Sequence, residues 1–115
     1  MMKERVKRVA LLIKEVVAEI ILKEISDPNL GFVTVTGVEM GRDLKKTTIY
    51  FTVLGDERKM KQTETILNRA KGFIRHTLSQ KITLRFIPEL DFKIDQLALQ
   101  ERKVGKILDD LKDKD

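Results

Sequence analysis

The sequence predicts an α+β domain of two layers, in which a sheet carries helices stacked on one face. Two observations set this class. Apolar residues recur at three- and four-residue steps over residues 5–25, 60–82 and 97–111, whereas residues 32–40, 47–54 and 84–94 alternate with period two. A third observation concerns Gly72, which interrupts the middle helical segment and falls on the face opposite its apolar stripe. The resulting order is helix, strand, strand, helix with a glycine break, strand, and a C-terminal helix.

The first helix buries Val6, Val9, Ala10, Ile13, Val16, Val17 and Ile20 along one stripe, with Arg8, Glu15 and Glu19 opposite. It ends at Ser26-Asp27-Pro28-Asn29, because proline disfavours helical geometry in the residue before it. In the first strand Val33 and Val35 lie on one phase, and Val38 and Met40 on the other. Gly37 sits where the phase slips, the mark of a β-bulge or sharp bend. A polar basic loop, residues 41–46, leads into an antiparallel partner strand in which Ile49, Phe51 and Val53 alternate with Thr48, Tyr50 and Thr52.

Gly55-Asp56 ends that strand, and Asp56 is a candidate N-cap for the segment that follows. There Ile66, Leu67, Ala70, Phe73, Ile74, Thr77 and Leu78 share one face, and Gly72 lies among Lys61, Asn68, Arg69, Arg75, His76 and Ser79 on the other. Glycine inside a helix costs about 1 kcal/mol relative to alanine. Packing cannot explain it on that face, and it leaves bare backbone amid basic side chains. Period two returns at Leu84, Phe86, Leu90, Phe92 and Ile94, which mark a third strand whose Pro88 must sit at an edge or bend. Ala98, Arg102, Val104, Ile107, Leu108 and Leu111 keep helical spacing before a frayed end, Lys112-Asp113-Lys114-Asp115.

At 115 residues the whole chain, 1–115, fits one domain able to bury its own core, with residues 97–115 as a C-terminal helix and tail. It has no cysteine and one histidine, which excludes disulfides, thiolate zinc sites and a cysteine nucleophile, and leaves little for a His-based metal site. His76 lies among cations on a polar helix face and reads as a solvated side chain rather than a catalytic one. Asp109, Asp110, Asp113 and Asp115 lack the ordered glycine loop of a calcium site. No phosphate-binding or dinucleotide fingerprint follows a strand. The sequence therefore predicts no enzyme activity and no cofactor. No apolar run approaches a membrane span, so the expectation is a cytoplasmic chain without membrane attachment.

The net charge of +5 is unevenly placed: residues 1–88 hold 17 Lys/Arg against 10 Asp/Glu, and residues 89–115 hold 6 against 8. Within residues 57–81, Arg58, Lys59, Lys61, Arg69, Lys71, Arg75 and Lys81 face only Glu57 and Glu64. Such a stripe suits a phosphate backbone, with Gly72 admitting close approach and a restarting helix offering free N–H groups. A solvated basic helix side with a tolerated glycine is the competing reading. The phenylalanines mostly take core-facing phases and only Tyr50 projects differently, which argues against an aromatic stacking platform.

Arg5-Val6-Lys7-Arg8-Val9, Asp27-Pro28, residues 33–38, Asp43-Leu44, Ile49-Tyr50-Phe51, and above all Ala70-Lys71-Gly72-Phe73-Ile74-Arg75 and Pro88-Glu89-Leu90-Asp91-Phe92 carry a resemblance. In order and spacing the chain resembles the bacterial ribosome-binding factor A family. The resemblance implies a type II KH-like fold in which an Ala-x-Gly kink, here Ala70-Lys71-Gly72, replaces the Gly-x-x-Gly loop of other KH domains. It implies binding to the free 30S subunit and its 16S rRNA, and help with late maturation and 5′-end processing of that RNA, notably in the cold. Ribosome-assembly GTPases are further partners on this reading, and the protein is a monomer. After Asp95 the chain departs from the family pattern, with Leu97 and Glu101 where serine and glycine are usual.

The candidate RNA-binding residues are Ala70 and Gly72 at the kink, Lys71 and Arg75 beside it, Lys61 and Arg69 along the stripe, and Arg5, Arg8, Lys45 and Lys46 beyond it. Two other classes remain open on the residues alone: a general KH-type RNA binder, and a protein-interaction module with a basic docking face.

Overall fold

The computed structural model describes residues 2–41 and 44–112, with backbone alone for Met2, Lys3, Arg102, Lys103, Val104, Lys106, Asp109, Asp110 and Lys112. The expectations for Arg42, Asp43, Asp113, Lys114 and Asp115 fall outside the described residues, as do those for the side chains of Arg102, Val104, Asp109 and Asp110.

The elements are α1 (Met2–Glu24), β1 (Val33–Met40), β2 (Lys46–Val53), α2 (Glu57–Arg69), α3 (Lys71–Lys81), β3 (Glu89–Ile94) and α4 (Gln96–Lys112). The sheet order is β1-β2-β3, with β2 antiparallel to β1 and parallel to β3. Helices α1, α2 and α3 cover one face of this sheet. The core lies between the layers, where Ile13, Val17 and Ile20 of α1, Leu67 of α2, and Ile74 and Leu78 of α3 meet Ile49, Phe51, Leu90 and Phe92 of the sheet. The αββααβ order is the type II KH-like arrangement.

Several local expectations hold because their causes are local. Buried and partly exposed side chains alternate along β2, with Thr47, Ile49, Phe51 and Val53 facing inward. The register of β1 against β2 slips between Val35 and Gly37, so Thr36 is the extra residue of a bulge. Val35 and Val38, on opposite sequence phases, therefore both face the helices, against Phe51 and Ile49. Asp56 caps α2, its carboxylate accepting from the Lys59 N–H at 2.9 Å. The close approach of the α1–β1 loop to α2 and β2 needs a glycine. A Cβ on Gly31 would collide with Val53, and the Gly31 N–H donates to Thr63 Oγ1 at 3.1 Å.

Other expectations need correction. The third strand does not begin at Leu84: residues 82–88 form a loop, and Pro88, which has no N–H to donate, is buried immediately before β3. Phe86 is thereby 76% exposed. Phe32 and Phe73 are also exposed, so only Phe51 and Phe92 of the five phenylalanines are core residues. The helix break falls at Ala70, two residues before Gly72. Ala70 has φ −88° and ψ 1° and serves as C-cap of α2 and N-cap of α3 at once.

Asn68, expected on the solvent face, is half-buried against the free edge of β3. Its Nδ2 donates to the Phe92 carbonyl at 3.0 Å and its Oδ1 accepts the Phe92 N–H at 3.0 Å, so the amide pairs with the strand as another strand would. Glu64 Oε2 accepts the Ile94 N–H at 3.1 Å. These side chains satisfy an edge that would otherwise be open to pairing.

At the end of β3, Asp95 turns the chain into α4. Its Oδ1 accepts the Ala98 N–H at 3.0 Å, and Thr36 of the bulge donates to its Oδ2 at 2.6 Å. These two bonds hold the Asp95 carboxyl below its ordinary range, the threonine contributing most and partial desolvation opposing. Among the described residues α4 packs only marginally on the other elements, and Leu97, Ile107, Leu108 and Leu111 are exposed along it.

Two outcomes are expected. Asn68→Ala strands the Phe92 amide and carbonyl and should destabilise the fold by about 1–3 kcal/mol, read as a lowered midpoint in urea unfolding. Asp95 is lowered in the folded state, so its contribution is complete above about pH 4 and is lost as pH falls through the lowered native value. Asp95→Asn should remove that part of the acid-induced loss of stability, measured by circular dichroism across pH.

Candidate nucleic-acid interface

Three stripes run along α2 and α3 in continuous helical phase, despite the break. Met60, Thr63, Leu67, Ile74, Thr77 and Leu78 are buried against the sheet. Glu64, Asn68, Lys71 and Arg75 follow the edge of β3. Arg58, Lys61, Gln62, Thr65, Arg69, Gly72 and His76 face outward and are exposed.

Five of the seven cations divide between the last two stripes. Lys71 Nζ lies 3.2 Å from Asp91 Oδ1 in an exposed ion pair. Arg75 donates through Nη2 to the Ile87 carbonyl at 2.8 Å and through Nε to the Pro88 carbonyl at 3.1 Å, and so fastens the α3–β3 loop. Lys81 pairs with Glu24 of α1 at 3.7 Å. By contrast, the side chains of Arg58, Lys61 and Arg69 make no hydrogen bond or ion pair among the described residues. With Asn29, Glu57, Gln62, Thr65 and Ile66 they line an open groove of about 620 Å³ on the outer side of α2.

This groove leads to the start of α3. Ala70 offers no side-chain cap there, and the first turn carries exposed Lys71 and Gly72. A Cβ built on Gly72 would meet nothing within 4 Å, and its φ is not in the left-handed region. Neither packing nor backbone geometry demands a glycine here. What its absent side chain does leave is access from solvent to the first-turn amides, where anions are favoured.

The remaining candidates are placed apart from this run. Lys45 and Lys46 lie at the β1–β2 turn, where the Lys45 carbonyl accepts the Glu89 N–H at 2.8 Å and Lys46 is in register with Glu89. They share the end of β3 that Arg75 fastens. Arg5 and Arg8 are exposed at the N-terminal end of α1, about 24–28 Å of helix from the Glu24 that meets Lys81. His76 is exposed, with Gln80 Nε2 3.4 Å from its Nε2. On the uncovered sheet face Tyr50 donates to Glu39 at 3.1 Å, and that bond is the main cause raising the phenol's pKa. No group of three or more His, Cys, Asp or Glu residues placed to hold a metal ion occurs among the described residues.

The sequence reading missed Asn68 and the fastening role of Arg75, whose partners lie 24 and 12–13 residues away in the chain.

Residues 5–108 match the family model of ribosome-binding factor A. The chain belongs to the ribosome-binding factor A family. It is 44% identical over 106 residues to ribosome-binding factor A of Carboxydothermus hydrogenoformans, covering 92% of this chain and 85% of that one. Its fold is similar to the crystal structure of ribosome-binding factor A from Thermus thermophilus, with a TM-score of 0.69, 24% identity, and coverage of 76% of this chain and 92% of that one. It is also similar to a Thermus thermophilus ribosome-binding factor A homology model fitted into the cryo-EM map of a 30S complex, with a TM-score of 0.62, 25% identity, and coverage of 73% and 88%. The helix break at Ala70 lies at the end of the groove lined by Arg58, Lys61 and Arg69.

Because Gly72 is exposed and unconstrained, Gly72→Ala should leave stability unchanged or raise it by up to about 1 kcal/mol, checked by thermal unfolding.

Proposed function

We propose that this chain is a non-enzymatic assembly factor that binds the free 30S subunit through 16S rRNA, and that assists late maturation and 5′-end processing of that RNA, notably in the cold. The observation that carries the reading is the run of unpaired cations Arg58, Lys61 and Arg69 beside an uncapped helix start bearing Gly72. The 30S complex of the Thermus thermophilus relative supports the choice of particle. The reading makes the protein a cytoplasmic monomer that shares the particle with assembly GTPases.

Phosphates would lie along the α2 groove, with Lys61 and Arg69 neutralising them and the amides around Gly72 receiving one at the kink. Ala70 shapes that kink. Lys71 acts through its charge, since exchanging Asp91 for a phosphate at an exposed site costs little. Arg75 contributes by holding the loop behind it. Lys45 and Lys46 extend the positive surface around the start of β3, and Arg5 and Arg8 form a separate patch for a more distant segment of RNA. Binding assists maturation if the factor holds one immature rRNA conformation more tightly than the mature one, which shifts the population toward it.

Co-sedimentation with separated 30S, 50S and 70S particles tests the reading. Retention on 30S particles alone supports it, whereas equal affinity for short RNA strands and 30S particles favours a general RNA binder. Lys61→Glu combined with Arg69→Glu breaks no bond within the fold and should weaken 30S association at least tenfold. It should also lower the slope of log K against log salt by about 2 in magnitude. Gly72→Leu should fold normally yet bind more weakly, and a wild-type affinity for either variant would rule out this surface.

A further inference from the structure

We propose that Phe86, on the loop between α3 and β3, is a stacking platform for an unpaired RNA base, flanked by Arg85 and Arg75. The inference rests on the RNA-binding reading and adds to it a site that the phosphate-binding groove does not contain. An exposed phenylalanine alone means little, because single apolar side chains are common on surfaces. Three further observations give this one a role.

The first is restraint. Arg75 holds the Ile87 and Pro88 carbonyls with three donor contacts of 2.8 to 3.3 Å, Pro88 is buried, and Leu84 and Ile87 pack against the core. The ring is 76% exposed, yet the loop bearing it is pinned on both sides. Such a ring can receive a base with little ordering cost.

The second is the company it keeps. The Arg85 guanidinium lies over the ring, 5.7 Å from its centroid. A planar cation beside an aromatic ring suits both the π-face and the phosphate of a nucleotide.

The third is charge. Residues 65–88 contain Arg69, Lys71, Arg75, Lys81 and Arg85 and no Asp or Glu. Of the next acids along the chain, Asp91 is paired with Lys71, and Glu89 lies in strand register with Lys46. A protein partner would be expected to bury an apolar surface, but the exposed ring of Phe86 has the exposed, charged Arg85 against it. A polyanion with an aromatic base matches this composition better. Phe73 does not join the platform, since two residues of helix separate it from Arg75 by about 200°.

The chain has no tryptophan, so Phe86→Trp supplies a single fluorescent reporter at the site. Its emission should be quenched on titration with a short uridine-rich single strand, and much less with a blunt RNA duplex of equal length. Phe86→Leu keeps the apolar bulk and removes the π-face. It should weaken single-strand binding about five- to hundred-fold with an unchanged salt slope, because no charge is lost. Arg85→Gln should instead lower that slope by about 1 in magnitude. Matched thermal melts establish that the variants fold.

A flat salt dependence for the wild type would overturn the RNA reading and this inference with it. A steep wild-type slope together with an unquenched Phe86→Trp, or with Phe86→Leu binding as wild type, would overturn the platform alone. Concentration-dependent quenching without RNA would assign the ring to contact between copies of the chain and would likewise overturn it.

Discussion

The free edge of β3 is the constraint on which the helical layer depends. Glu64 reaches Ile94, Asn68 reaches Phe92, Lys71 reaches Asp91, and Arg75 reaches Pro88 and Ile87, so ascending helix positions meet descending strand positions. The spacing 64, 68, 71, 75 is a single helical stripe. Eleven residues of helix rise about 16 Å and six residues of strand extend about 20 Å, so the two lengths nearly match. An unpaired parallel edge strand invites pairing with another chain. Here side chains from two helices close it. Each backbone group so satisfied is worth about 1 kcal/mol, and more if left buried and unpaired.

Fixing that stripe against β3 settles what the other faces do. One face drives Leu67, Ile74 and Leu78 into the core, and the face turned away carries Arg58, Lys61, Arg69 and Gly72. Seven cations that look alike in the sequence thus acquire different roles. Lys71 and Arg75 on the edge stripe hold β3 and its loop, Lys81 pairs with Glu24 of α1, and the side chains of Arg58, Lys61 and Arg69 on the outer stripe are unpaired among the described residues. Gly72 belongs to the outer stripe, where an alanine would be the better helix former and nothing sterically forbids one. The geometry and packing of the protein give no reason for the glycine, so its reason is sought in what approaches from outside.

The elements legible in the sequence are those whose causes sit within a few residues. The alternation of β2, the bulge beside Gly37, the Asp56 cap and the stop at Pro28 all follow from short-range patterning, and the family resemblance added the KH-like order. The basic stripe was legible as composition. Its division was not, because whether a cation is free depends on acids and carbonyls brought near by the fold. Asn68 illustrates this: on a helical wheel it is a surface amide, and only the arrival of Phe92 from 24 residues away makes it a strand partner. Phe86 shows the converse error. Period two continues through residues 84–88 in the sequence, but Pro88 and the Arg75 contacts hold that stretch as a loop, and a residue on a core phase ends in solvent.

The bulge in β1 links the opposite side of the sheet to the C-terminal helix. Inserting Thr36 keeps Val38 facing the helices after the phase slip, which explains the bulge in terms of the core. It also presents the Thr36 hydroxyl to Asp95 across the intervening strand, β2, while the Asp95 N–H donates to the Phe51 carbonyl at 2.8 Å. Asp95 is thus held by both neighbours of the position where the sheet ends, and the same carboxylate caps the first turn of α4. Among the described residues α4 packs only marginally on the other elements, and this junction sets the start of the helix. Leu97 and Glu101 lie exposed in the first two turns beyond it, where a change of residue type alters what the helix presents without disturbing the Asp95 junction.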